Sequence, residues 1–195
     1  LDFPLVPGRS CGSCNVCCVA LTINDPELQK VQGYRCRNLQ PDHHCAIYAT
    51  RPKTCREFYC GWMQLKWVRQ TLRPDQSDVL IRLHGEISKT TGKPSLGIAI
   101  TLLSHAALKA DGLAETVAAA VSADVPVYLH IPGKPGYTSA QARLNEAVHH
   151  AVLSRDKPAL LQKLRELRAS AMGGPSEPIV LRPPESGGQS AAGPI

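Results

Sequence analysis

Apolar positions in the second half of the chain fall into short runs with readable periods. Across residues 78–84, Val79, Ile81 and Leu83 alternate with more polar neighbours, the period-two pattern of a strand. Residues 96–103 form a mixed apolar run rich in β-branched side chains. They predict a buried strand, paired with the first as a hairpin through a Gly/Lys/Thr turn at residues 89–94. A third strand is predicted over residues 125–131, bounded by Pro126 and Pro132. Helices are predicted over residues 106–122, 139–153 and 158–171. The first is alanine-rich, with Ser104 placed to cap it and Gly112 placed to divide it. The third opens with Pro158 in its first turn and sets Leu160, Leu161, Leu164 and Leu167 on one face. Its Lys163, Arg165 and Arg168 read as solvated.

The first half has no such supply of apolar residues. Residues 11–60 hold only about a dozen large apolar side chains, among them Val16, Leu21, Ile23, Leu28, Val31, Leu39, Ile47, Tyr48 and Phe58. From Gly173 onward Gly, Pro and Ser predominate, as in a disordered tail. The expected fold class is therefore α+β: an irregular cysteine-rich module at residues 1–76, a small α/β region at 77–172 with about three strands and three helices, and a tail at 173–195. No internal repeat is visible. The longest apolar runs, at residues 96–103 and 114–121, are too short to cross a bilayer, so no membrane span is expected. Leu1 in place of Met reads as a truncated or processed start, which leaves open a leader removed earlier.

Composition changes the picture at one point. The 195 residues include eight cysteines, all between Cys11 and Cys60. Confinement to one end, with a CxxCxxCC cluster, suits a metal site in a cytoplasmic protein better than a secreted disulfide framework. Residues 1–70 carry nine Lys or Arg against five acids, so most of the net charge of +6 sits with the cysteines. Two four-thiolate centres would each carry about −2, and this excess would largely neutralise them. The basic residues are dispersed and the pI is about 9.0, which argues against a nucleic-acid partner.

The cysteine spacing carries chemistry. A CxxC step lets two thiolates converge on one ion, and Cys11, Cys14 and Cys17 repeat that step twice. Three sulfurs so spaced lean towards an iron–sulfur centre, because zinc sites more often join two separated CxxC pairs. Cys18 directly follows Cys17, and adjacent side chains point apart, so one of the two is expected to serve a second site or only to pack. Cys36, Cys45, Cys55 and Cys60 lie downstream at intervals that permit a second four-sulfur centre. His43 and His44 stand just before Cys45, where either is an alternative ligand or an exposed loop residue. His149 and His150 read as surface residues.

The run Cys11-Gly12-Ser13-Cys14-Asn15-Val16-Cys17-Cys18, with Cys45-Ala46-Ile47-Tyr48, Arg51-Pro52 and Cys55-Arg56-Glu57-Phe58, resembles the YkgJ-type cysteine-cluster proteins, described as zinc- or iron-chelating domains. The resemblance covers residues 10–62, about a quarter of the chain. It implies that Cys11, Cys14, Cys17, Cys18, Cys36, Cys45 and Cys55 occupy metal-ligand positions, with Cys60 a looser fit. A larger flagellin lysine methylase is similar in having such a cluster, which there implies a [4Fe–4S] centre. In this motif Arg51 and Arg56 flank Cys55 and are placed to offset sulfur charge. Tyr48, Phe58, Tyr59 and Trp62 are candidates to wall the site from water, or to be ordinary core.

Three functions are compatible with these residues. One is a metal protein, structural or electron-transferring, holding an iron–sulfur cluster ([4Fe–4S]) or Zn2+ and offering the α/β half to a protein partner. A second is a cluster-containing enzyme related to protein-lysine methylation, although no Gly-rich cofactor loop follows a strand and the CxxxCxxC spacing of radical enzymes is absent. The third is a zinc-stabilised nucleic-acid or protein-binding module.

Overall fold

The computed structural model describes residues 4–87, 92 and 94–182. Most of the predicted turn at 89–94 and the last thirteen residues lie outside that range. The fold is α+β, with two sheets of two and four strands. In the first half, a single helical turn α1 (Cys17–Ala20) leads into an antiparallel hairpin of β1 (Ile23–Asp25) and β2 (Leu28–Lys30). Its turn is closed by the Asp25 carboxylate, which accepts from the Glu27 amide at 2.9 Å. Short helices α2 (Lys53–Glu57), α3 (Gly61–Gln64) and α4 (Pro74–Ser77) follow.

The main sheet has strand order β3 (Val79–Ile87), β4 (Pro94–Leu102), β5 (Val127–Ile131), β6 (Ala140–Arg143). β3 and β4 pair antiparallel, with Ile81 opposite Ile100, as the alternating pattern predicts. β4 and β5 pair parallel, so the chain must cross over between them. A 3-10 turn (Ala106–Lys109) and helix α5 (Leu113–Ser122) make that crossing. The Ser104 hydroxyl accepts from the Ala106 amide at 3.0 Å, and Gly112, at φ +89°, divides the two helical pieces as expected. Helices α6 (Asn145–Leu153) and α7 (Lys157–Met172) complete the layer, with Asp156 capping α7 through a 2.9 Å bond from Ala159.

The structure corrects one prediction: residues 140–143 form a fourth strand, not the start of a helix. Ala, Gln and Arg favour helix, and four residues are too few for period two to show. Backbone pairing with β5 overrides the propensity. Asn145 fixes the switch, because its side chain accepts from the Val127 amide and donates to the Val125 carbonyl, both at 2.8 Å. That clamp holds the start of β5 beside the start of α6.

Alternate residues of the sheet, including Val79, Ile81, Ile100, Leu102, Leu129 and Ile131, form one core with α5, α6 and α7. Trp62, Met63, Leu65, Val68 and Leu72 join that same core, although the sequence assigns them to the cysteine-rich half. The cysteine-rich half keeps a separate cluster of three buried residues, Leu28, Cys36 and Leu39. Beyond Gly173, residues 176–182 run beside a main-sheet loop. Thr138 donates to the Glu177 carbonyl and Ile179 to the Gly136 carbonyl, both at 2.8 Å.

The other face of the sheet places His130 beside Arg82, with Nδ1 3.3 Å from a guanidinium nitrogen. His130 is 7% exposed, and among the described residues its buried Nε2 finds no partner. Burial, followed by repulsion from Arg82 and His84, pushes its pKa down to about 4. The folded protein therefore keeps a neutral imidazole between pH 6.5 and 4, where the unfolded chain takes up a proton. Stability should fall as pH drops through that window, by on the order of 3 kcal/mol. Denaturant unfolding at pH 7 and 4.5 should show a smaller pH loss in His130→Asn than in the parent. An equal loss in both would assign the acid sensitivity elsewhere.

Candidate metal centre

Local backbone geometry sets the first three sulfurs. Gly12 adopts φ +50°, and the Cys14 amide donates to the Cys11 carbonyl at 2.8 Å, so the CxxC step closes as a tight turn. A guanidinium nitrogen of Arg73 pins that turn from outside, 2.9 Å from the Cys11 carbonyl and 3.3 Å from the Ser13 hydroxyl. Cys17 and Cys18 begin α1, where successive side chains diverge. Their thiols remain in contact through a hydrogen bond.

The remaining sulfurs arrive from separate elements. The Cys36 amide donates to the Cys18 carbonyl at 2.9 Å, which ties the segment after β2 to α1. Leu39 accepts a position opposite Cys45 in an isolated antiparallel bridge, and its amide bonds back to the Cys36 carbonyl at 3.0 Å. Cys55 sits in α2, and Cys60 immediately precedes α3. All eight cysteines are free thiols.

Seven of them, Cys11, Cys14, Cys17, Cys18, Cys36, Cys45 and Cys55, line one open cavity of about 290 Å³. Cys60 does not line it, but lies within electrostatic reach of Cys11 and Cys14. The sulfurs divide by what they rest on. Cys11 and Cys60 pack against the core of the main sheet, whereas Cys18 and Cys55 pack with buried Cys36 on the small cluster. Cys55 feels Cys18, Cys36 and Cys45, and Cys14 feels Cys11. Cys11, Cys14 and Cys60 thus lie towards the main core and Cys18, Cys36, Cys45 and Cys55 towards the small cluster, while Cys17, which feels Cys11, Cys14 and Cys18, and Cys11, which also feels Cys18, connect the two sides.

Electrostatics differ across these groups. Burial pushes the thiols of Cys11, Cys14, Cys55 and Cys60 up. Cys17 is also pushed up, because its thiol donates to Cys18 and is buried. Cys18 is pushed down to about 7 by that hydrogen bond, against burial and with help from Lys30 and Arg51. Arg51 also favours the ionised forms of Cys11 and Cys55.

Arg51 stacks over Tyr48 with its guanidinium carbon 3.9 Å from the ring centre, and its Nε donates to the Tyr48 carbonyl at 3.0 Å. Arg56 donates to the Arg51 carbonyl. Tyr48 and Phe58 line the cavity, but Tyr59 does not, and Trp62 belongs to the main core. His43 and His44 are exposed yet both line the cavity. His149 and His150 are exposed on α6, away from the cysteines.

By sequence alone Lys30 is one charge among many. In the structure it is 8% exposed, and its ammonium donates to the carbonyls of Val19 (3.2 Å), Leu21 and Val31 (3.4 Å). Burial lowers its pKa, and Cys36, Cys18, Cys17 and Cys55 counter that effect. The clue was legible: in β2, Leu28 and Lys30 share the inward face while Gln29 points out.

The donors suit a thiolate-bound ion or cluster in kind, being soft free sulfurs on one cavity with cationic side chains around them. Among the described residues, no three metal-ligating side chains already stand together as an ion requires, so binding would draw the sulfurs inward. No helix among the described residues is long and apolar enough to cross a membrane. No family model, curated protein or solved structure matches this chain.

Proposed function

We propose that this protein binds iron, as an iron–sulfur cluster, through its clustered cysteines. Zinc is the alternative ion for the same donors. The carrying observation is that seven free thiols from four separate stretches of the first half line one cavity. Thiols kept apart by sequence and brought together without disulfides have few other uses. The double CxxC step favours iron–sulfur over zinc, as does the resemblance to the cysteine-cluster chelating proteins. Arg51, Lys30 and Arg73 would offset the negative charge of ionised sulfur, and Tyr48 and Phe58 would limit water on the cluster. The role that follows is structural or electron-transferring, in the reducing cytoplasm, with a protein rather than a nucleic acid as partner. The experiment is metal and sulfide analysis of protein purified without oxygen. Brown protein containing iron and acid-labile sulfide supports the reading, and colourless protein with zinc selects the alternative ion.

A further inference from the structure

Helices α5, α6 and α7 pack on one face of the main sheet, and the opposite face carries polar side chains. Strand register sets Arg82, Ala99, Tyr128 and Arg143 side by side across β3, β4, β5 and β6. Arg82 is half-buried, and its guanidinium reaches over β4 to His130, 3.3 Å from Nδ1. Ala99 and Thr101 are small enough for the two side chains to meet above them. A guanidinium has donors only, so Nδ1 is the acceptor and the His130 proton sits on Nε2. Arginines held in place are commonly held by a carboxylate, which also neutralises them. Here the holder is an uncharged imidazole, and among the described residues no carboxylate pairs with Arg82. Glu86 lies four positions along β3, about 13 Å of strand away. Arg82 Nε and His130 Nε2 are both buried and find no acceptor among the described residues. Two neighbouring N–H donors and one full charge thus lack the acceptor that buried polar groups normally have.

We propose that Arg82 is the receptor for an oxyanion, the phosphoryl or carboxylate group of a small molecule, on this face of the main sheet. His130 is its positioning residue. The bond to Nδ1 takes one Nη2 hydrogen and turns the guanidinium without cancelling its charge, so the other Nη donors and the charge are left for a ligand. A planar fork of N–H donors matches two oxygens of one anion. The rings of His84 and Tyr128, with centroids 4.8 Å apart, stand on the same face and offer an apolar wall to the organic part of the ligand. Exposed Arg143, opposite Tyr128, is a second cation that draws anions to this face. None of these residues lines the cysteine cavity, so the inference is independent of the metal-binding reading.

The test follows backbone amide chemical shifts of the full chain while inorganic phosphate or acetate is added at constant ionic strength. The parent should show saturable shifts at Arg82, Ala99 and Tyr128, with a dissociation constant on the order of 1 mM for the better probe. Tighter phosphate marks a phosphoryl ligand, and tighter acetate a carboxylate. Arg82→Gln should bind at least about 10-fold more weakly. Arg143→Gln removes the same charge from the same face and should lose less than about 3-fold, since exposed charge is screened. His130→Leu should weaken binding, and His130→Asn, whose Oδ1 falls where Nδ1 lies, should recover it. Parent-like affinity in Arg82→Gln, or in Arg82→Lys should the Gln variant not fold, overturns the proposal. Equal losses in the two arginine variants mean diffuse attraction and overturn it as well, as does the absence of saturable shifts with either probe.

Discussion

Removing metal from the loaded protein is expected to accelerate hydrogen exchange across residues 11–60 while leaving most of the far-UV helical signal intact. Among its described residues the first half has three buried core residues of its own, Leu28, Cys36 and Leu39, and one of these is a proposed ligand. Among the described residues, the main sheet shares a core of 26 buried residues with α5, α6, α7 and the segment 62–72. Area buried scales with apolar stabilisation, so the second half is expected to hold its fold unaided and the first is expected to need the metal. A structural metal contributes on the order of 10 kcal/mol, comparable to the net stability of a whole domain. Protection should accordingly persist from about Gly61 onward, because Trp62, Met63 and Leu65 anchor α3 to the sheet. Should α5, α6 and α7 melt together with the cysteine region, the chain is one cooperative unit and the metal supports all of it.

Single replacements should divide the metal content. Cys14→Ser removes a donor from the group that rests on the main core with Cys11 and Cys60. Cys36→Ser removes the buried donor of the group that includes Cys18, Cys45 and Cys55. Each variant is expected to lose about half of the bound metal, since serine oxygen is a poor ligand for thiophilic ions and each group has its own wall. Elemental analysis of both variants, prepared as the parent is, checks this. Loss of all metal in either one would mean a single centre shared across the cavity, and full retention in both would remove these cysteines from the ligand set.

The sequence carried the second half well, because its strands are long enough for alternation to show. Val79, Ile81 and Leu83 face the core as their period requires, and Gly112 divides the crossover where a left-handed residue is needed. β6 was illegible, since Ala140 to Arg143 favours helix and pairs as strand only because β5 lies beside it. The inclusion of Trp62 to Leu72 in the main core was also hidden, as that segment has no clear period of its own. At the candidate centre, spacing brought Cys11, Cys14 and Cys17 to notice, yet local spacing says nothing about which distant sulfur joins which. That division depends on tertiary contacts, such as the Cys36 amide on the Cys18 carbonyl. The burial of Lys30 is hidden for a related reason. A lysine in a three-residue strand reads as solvated until its partner strand shows which way it faces.

The central claim is that the cysteines hold a metal centre, and one measurement addresses it most directly: iron, zinc and acid-labile sulfide per chain in protein purified anaerobically, with free thiols counted before and after chelation. The account predicts iron with matching sulfide, few reactive thiols in the loaded protein and most of the eight recovered after chelation without reductant. Protein that carries no metal and yields four intact disulfides by mass spectrometry would contradict it.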